Sequence, residues 1–152
     1  MNFIPATITL TGQMRLPAPI ERVFPLFSPL GEKLWVPDWN PELLYPPNID
    51  WAEDQLFRTQ GELGSAIWVV SELDLKASHV VYHRVEADRY VAQVGVRCDP
   101  ASADVTEVHI VYRFVGLSER GNQEINAMSQ QTFEEKMARW TGWLNEHLNR
   151  PV

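Results

Sequence analysis

The sequence predicts an α+β domain: a curved antiparallel sheet of six to seven strands wrapped around a long C-terminal helix, with two short helices after the first strand. Three observations predict it. Residues 119–149 contain no proline, and Phe133, Met137, Trp140, Leu144 and Leu148 recur there at spacings of four, three, four and four, one stripe of a helix. Glu134, Glu135, Lys136 and Arg139 fall off that stripe. Most of the preceding chain alternates with period two between turn residues, and no helical pattern intervenes, as a parallel α/β sheet would require. A helix of that length runs roughly 40 Å, and something broad has to cover its apolar side.

The 152 residues are expected to form a single domain, 1–152, large enough to bury a core without disulfides. The lone cysteine, Cys98, excludes an internal disulfide and fits a reducing compartment. Met1-Asn2-Phe3-Ile4-Pro5-Ala6-Thr7 carries no basic region followed by an apolar run, so no secretory signal is expected. No window is long and apolar enough for a membrane span, and the expected location is cytoplasmic. A net charge of -7 argues against nucleic acid or an anionic membrane as the main partner, because both reward clustered Lys and Arg. Homodimerisation stays open.

In residues 6–16, Ile8, Leu10, Gly12, Met14 and Leu16 alternate with Thr7, Thr9, Thr11, Gln13 and Arg15, which predicts a half-buried strand. Pro17-Ala18-Pro19 stops it, with Pro19 suited to the first turn of a helix carrying Ile20, Val23, Phe24 and Phe27 and shortened or kinked by Pro25. Residues 31–47 hold four prolines and two tryptophans, which predicts one helical turn around residues 32–35 and then an ordered extended loop. Residues 49–51 are expected as a brief strand, followed by strands at 55–62, 65–73, 77–86, 89–98 and 104–115. The turns between them are signalled by Gly61 with Gly64, Asp74, Ala87-Asp88 and Asp99-Pro100-Ala101-Ser102. Thr106, Val108, Ile110, Tyr112 and Phe114 form one apolar row, and Tyr90, Ala92, Val94, Val96 and Cys98 another, both expected on the concave face. In the strands of Trp68 and Tyr82 both faces are partly apolar, so periodicity leaves their orientation open.

This order resembles the START-like or helix-grip superfamily, the SRPBCC group of polyketide cyclase/dehydrase and lipid-transport type. Pro17-Ala18-Pro19-Ile20-Glu21-Arg22-Val23-Phe24 looks like the lead-in to that family's first helix. Glu32-Lys33-Leu34-Trp35-Val36-Pro37-Asp38-Trp39 looks like a tryptophan motif of one small bacterial branch, and Gly64-Ser65-Ala66-Ile67-Trp68-Val69-Val70 and Gly116-Leu117-Ser118-Glu119-Arg120-Gly121 like its central strand and final-helix approach. The resemblance implies a cavity between sheet and last helix that admits an apolar ligand. It supports a cavity more strongly than any reaction.

Catalytic signals are sparse. His79 and His83 would share a metal on a helix, but on a strand they stand roughly 13 Å apart, so no metal site is expected. There is no Gly-x-Ser-x-Gly turn, P-loop or dinucleotide fingerprint, and no cofactor is expected. Asp38, Arg58, Glu72, Tyr82, His83 and Tyr112 are candidates for acid or base work, although such residues more often lie solvated on strands or anchor the core. The ligand-facing set is Trp68, Tyr82, Val94, Ile110, Tyr112, Phe133, Met137 and Trp140, with Trp35 and Trp39 near a mouth. Core packing explains the same side chains without a ligand. The leading expectation is a binder or carrier of a small hydrophobic, aromatic or lipid-like molecule. The alternatives are an enzyme of the polyketide cyclase, aromatase or dehydratase kind, and a co-chaperone-like protein interaction module.

Overall fold

The computed structural model describes residues 2–61 and 64–151. Glu62, the expected end of the strand beginning at Gln55, and the chain ends Met1 and Val152 lie outside them. Within the described residues, β1 (Thr7–Leu16), β2 (Glu42–Tyr45), β3 (Leu56–Gly61), β4 (Gly64–Asp74), β5 (His79–Glu86), β6 (Tyr90–Ser102) and β7 (Val105–Gly116) form one antiparallel sheet in the order β1-β7-β6-β5-β4-β3-β2. A short α1 (Ile20–Val23) continues into a 3₁₀ turn, Phe24–Phe27, and a second 3₁₀ turn spans Gly31–Leu34. The chain ends in α2 (Glu119–Asn126) and α3 (Gln130–Leu148). This is the helix-grip fold: a curved sheet closed over by the last helix.

The two apolar rows of β6 and β7 are buried together and paired, Val94 opposite Tyr112 and Val96 opposite Ile110. Thr106 interrupts them as a polar residue with no exposure, and its hydroxyl donates to the Ala18 carbonyl at 2.8 Å. The orientation left open by periodicity is now decided. Ala66, Trp68 and Val70 of β4, with Val80 and Tyr82 of β5, face inward, while Val85 faces solvent.

Three sequence expectations are corrected. Residues 49–51 form no strand: Trp51 instead packs on Phe24, ring centroids 4.9 Å apart, and the Gln55 amide donates to the Ile49 carbonyl at 2.5 Å. The additional strand is β2, which pairs with β3 through Glu42 opposite Arg58. Residues 99–102 are not the turn, because β6 runs on through Pro100 to Ser102 with an irregular register that accommodates the proline. The expected single helix over 119–149 is two. Ser118 accepts from Gly121 N and Ser129 from Thr132 N, each at 3.1 Å, so a serine starts each helix by satisfying a backbone N–H that helix continuation would have paired. The 19 residues of α3 span about 28 Å.

α3 crosses β1 at Gly12, where a Cβ would lie 2.5 Å from Met137 Cγ and 3.1 Å from Phe133. At the sheet's edge the Gln130 amide accepts from Thr11 N (3.2 Å) and donates to Thr11 O (2.7 Å), occupying backbone groups that an edge strand otherwise presents for aggregation. α2 docks on the β5–β6 hairpin at Gly121, where a Cβ would meet the Arg89 carbonyl oxygen at 1.5 Å. Gly142 of α3, by contrast, is exposed and has no neighbour within 4 Å of such a Cβ. Gly121→Ala is therefore expected to destabilise by about 3 kcal/mol, since rigid backbone has to move, and Gly142→Ala to stabilise by roughly 0.5–1 kcal/mol through helix propensity. Urea unfolding of both variants checks the pair.

Candidate functional site

Between the concave sheet, the 3₁₀ turn Gly31–Leu34 and α3 lies a cavity of about 260 Å³. Its walls are aromatic. Phe57 and Trp68 stack with centroids 5.4 Å apart, and Trp39 and Tyr82 each meet both rings edge-on. Tyr112, Trp140 and Trp143 close the side toward the helix. A neighbouring space of about 220 Å³ opens beside Leu10, Tyr90, Phe114 and Phe133, and Arg84, Tyr112 and Lys136 border both. The convex face carries a shallow depression of about 250 Å³ over Gly95, edged by His79, Arg97, His109 and Arg113, with no Phe, Tyr or Trp among its described lining residues.

Packing places three ionisable side chains in this aromatic setting. Glu32 is carried by the turn that Gly31 starts: a Cβ at Gly31 would fall 2.1 Å from the Pro25 carbonyl oxygen, so only glycine lets the chain turn there. Ser28 Oγ holds the same bend by donating to Pro25 O at 2.8 Å and accepting from Gly31 N at 2.9 Å. Lys136 lies between Phe133 and Trp140 on α3, and its Nζ is 4.8 Å from the Tyr112 ring centroid and 5.3 Å from that of Trp140. Arg84 shares the inward face of β5 with Tyr82, its guanidinium 5.3 Å from the Trp68 centroid.

Desolvation dominates the ionisation of these groups. Glu32 keeps part of its residue surface in solvent, yet burial pushes its carboxyl up to about 8 against the opposing pull of Lys136. Burial first, and the Arg84 charge second, bring Lys136 down to about 8. Tyr82 is raised by burial and then by the Glu32 carboxylate, and its hydroxyl donates to the Phe27 carbonyl at 2.6 Å, tying the first 3₁₀ turn to the sheet. Burial likewise raises Tyr112, so both phenols stay protonated at neutral pH. Cys98 is pushed up to about 12 by burial, which leaves it an apolar filler and not a thiolate.

Of the sequence-predicted set, Trp39, Trp68, Tyr82, Val94, Tyr112 and Trp140 line the cavity. Phe133 lines the neighbouring space. Ile110 is fully buried within the sheet's core, and Met137 packs over Gly12. Trp35 plugs the end of the core: its indole donates to the Leu26 carbonyl at 2.7 Å and its ring meets Phe27 and Trp140 edge-on. Among the acid–base candidates, Asp38 and Glu72 are exposed, and Arg58 pairs with Glu42 at 3.0 Å on a surface strand. His83 points to the outer face, where Nδ1 lies 2.5 Å from Ser71 Oγ. Sequence reasoning missed Glu32, Arg84 and Lys136. A signal for two of them exists: Phe133, Lys136, Trp140 and Trp143 form a second helical stripe interrupted only by the lysine, and alternation puts Arg84 on the face of Tyr82.

Among the described residues, no helix is long and apolar enough to cross a membrane. No family model matches the chain, and no curated protein matches it. Among solved structures it is similar to norcoclaurine synthase from Thalictrum flavum in complex with dopamine and hydroxybenzaldehyde, at TM-score 0.67 and 10% identity over 96% of this chain and 91% of that one. It is also similar to a hypothetical protein from Helicobacter pylori, at TM-score 0.72 and 10% identity over 92% and 87% of the two chains. A major latex-like protein from Panax ginseng superposes at TM-score 0.69 and 12% identity over 95% and 99%. At such identities these likenesses establish the helix-grip fold and nothing finer.

The shift of Glu32 has a consequence for stability. Unfolded, this carboxyl titrates near 4.5 and folded near 8, so between those values the folded chain holds the extra proton and stability falls as pH rises. Lys136 acts in the next window: from about 8 to 10.5 the unfolded chain holds the extra proton, and stability rises with pH. Urea unfolding at pH 5 and pH 8 is expected to show a decline for the parent that Glu32→Gln flattens. Equal slopes for the two proteins would mean that the carboxyl reaches water.

Proposed function

We propose that the protein binds or carries a small hydrophobic or aromatic molecule in the cavity between the sheet and α3. One observation supports this above the rest: about 260 Å³ stays unfilled although Trp39, Phe57, Trp68, Tyr112, Trp140 and Trp143 converge on it. Interiors are normally packed to crystal density, and an aromatic-walled space of this size leaves ring faces without partners. The volume lies just below the range of drug-sized sites and suits a guest of one or two rings. Dopamine and hydroxybenzaldehyde, seen in complex with the structurally similar norcoclaurine synthase, are single-ring molecules of that order.

The test is titration of the protein with 2-naphthol followed by isothermal calorimetry. Binding is expected, and Trp140→Ala is expected to weaken it at least tenfold, about 1.4 kcal/mol, with thermal unfolding as the control for an intact fold. Failure of naphthol and of single-ring phenols to bind below millimolar concentration would overturn the reading.

A second reading, an enzyme of the cyclase, aromatase or dehydratase kind, is supported by the presence in the same cavity of a carboxyl and an amine that both titrate near 8. Groups poised near the working pH exchange protons most effectively. Its measure is product formation: a β-polyketone incubated with the protein is expected to lose water or cyclise, and Glu32→Gln to abolish the change. Unaltered substrate recovered from the parent protein would leave the carrier reading alone.

A further inference from the structure

The charges around the cavity do not cancel. Arg84 and Glu86 approach with Nε and Oε2 3.1 Å apart, without hydrogen-bond geometry. Glu86 is already engaged by Arg89 Nη1 at 2.6 Å, and Arg89 in turn binds Glu124 at 2.8 Å. Arg120 stands 3.6 Å from Glu124 on the outside. Three guanidinium groups thus share two carboxylates, and the one turned into the cavity, Arg84, has a buried Nε without a hydrogen-bond partner among the described residues.

Lys136 adds a second cation. Its ammonium rests against the faces of Tyr112 and Trp140, and among the described residues it closes no ion pair with a carboxylate. Arg139, near it on α3, carries the same sign. Among the described residues Glu32 is the one carboxyl bordering the cavity, and at neutral pH burial keeps it protonated, an O–H donor without charge. The Tyr82 hydroxyl donates its hydrogen bond to the Phe27 carbonyl, and Tyr82 and Tyr112 both remain phenols. The cavity therefore offers cationic and neutral donors and no anionic acceptor, in a setting of low polarity where an unbalanced charge acts strongly.

We propose that the guest is a planar aromatic carboxylate, its rings packed between Trp39, Trp68, Tyr112 and Trp140 and its carboxylate held by Lys136 and Arg84. A carboxylate supplies the acceptor that these donors lack, and Arg84 and Lys136 reach it from opposite covers of the cavity, the sheet and the helix. The neutral Glu32 acid can donate to the same oxygens. This inference rests on the reading of the cavity as a site for a small aromatic molecule, and narrows it to one charge class.

The experiment compares 2-naphthoate with its uncharged analogue 2-naphthamide by isothermal calorimetry at pH 7 on the full chain. Naphthoate is expected to bind at least tenfold more tightly. Lys136→Met is expected to remove that preference by weakening naphthoate, with naphthamide changed less than threefold. Lys33→Met, which deletes an exposed charge from the Gly31–Leu34 turn, is expected to leave both affinities as they are and so separates a local contact from net charge. Naphthamide binding as well as or better than naphthoate to the parent protein would overturn the carboxylate assignment and leave aromatic binding standing; binding of neither would remove both. The parent's own preference decides the matter without any variant, so a misfolded Lys136→Met does not obscure the result.

Discussion

The structure depends on a mismatch of widths. Seven strands spaced about 4.8 Å apart make a concave face roughly 29 Å across, whereas a helix with its side chains is about 10–12 Å wide. One helix cannot cover such a face. α3 lies over the β1 side, brought close by Gly12, and the β3–β5 side is covered by a different device, the aromatic residues between Phe24 and Trp51 on either side of β2. Trp35, Trp39 and Trp51 in that segment do the work of a second helix. The cavity lies where the two covers meet, between Glu32 and Trp39 on one side and Lys136, Trp140 and Trp143 on the other.

That junction determines the chemistry. A turn built from 3₁₀ geometry and held by Gly31 and Ser28 presents one acid inward, while the helix presents one amine, and neither meets the other in an ion pair among the described residues. Leaving ionisable groups in an apolar setting opposes stability, because the charged form of each loses its hydration. Groups so placed are a common mark of a functional site, where a fold tolerates a local departure from its own packing rules. Elsewhere several buried polar groups are satisfied. Thr106 finds the Ala18 carbonyl, the Trp35 and Trp39 indoles find the Leu26 and Pro29 carbonyls, and the Tyr82 hydroxyl finds Phe27.

The same separation explains which parts of the site were legible beforehand. Trp39, Trp68, Tyr112 and Trp140 are large apolar residues on regular elements or in an aromatic loop, and their convergence follows from the expectation of a sheet around a helix. Glu32, Arg84 and Lys136 were missed because a charged residue on an amphipathic element is normally assigned to solvent. Lys136 departs from that rule because the adjacent rings of Tyr112 and Trp140 accept its ammonium, a contact that unites β7 and α3 across the core.

The sequence by itself determined the strands through period-two alternation, the direction of the meander through its short turns, the inward rows of β6 and β7, and the stripe that binds α3 to the core. These are local properties, set by side-chain spacing along one element. Only the tertiary structure decided the inward face of β4 and β5, the division of the last helix at Ser129, the identity of the seventh strand and the company of Glu32, Arg84 and Lys136. Apart from the division at Ser129, which a serine cap makes locally, each of those depends on contacts between residues far apart in the chain, where the environment of a side chain is set by its neighbours in space.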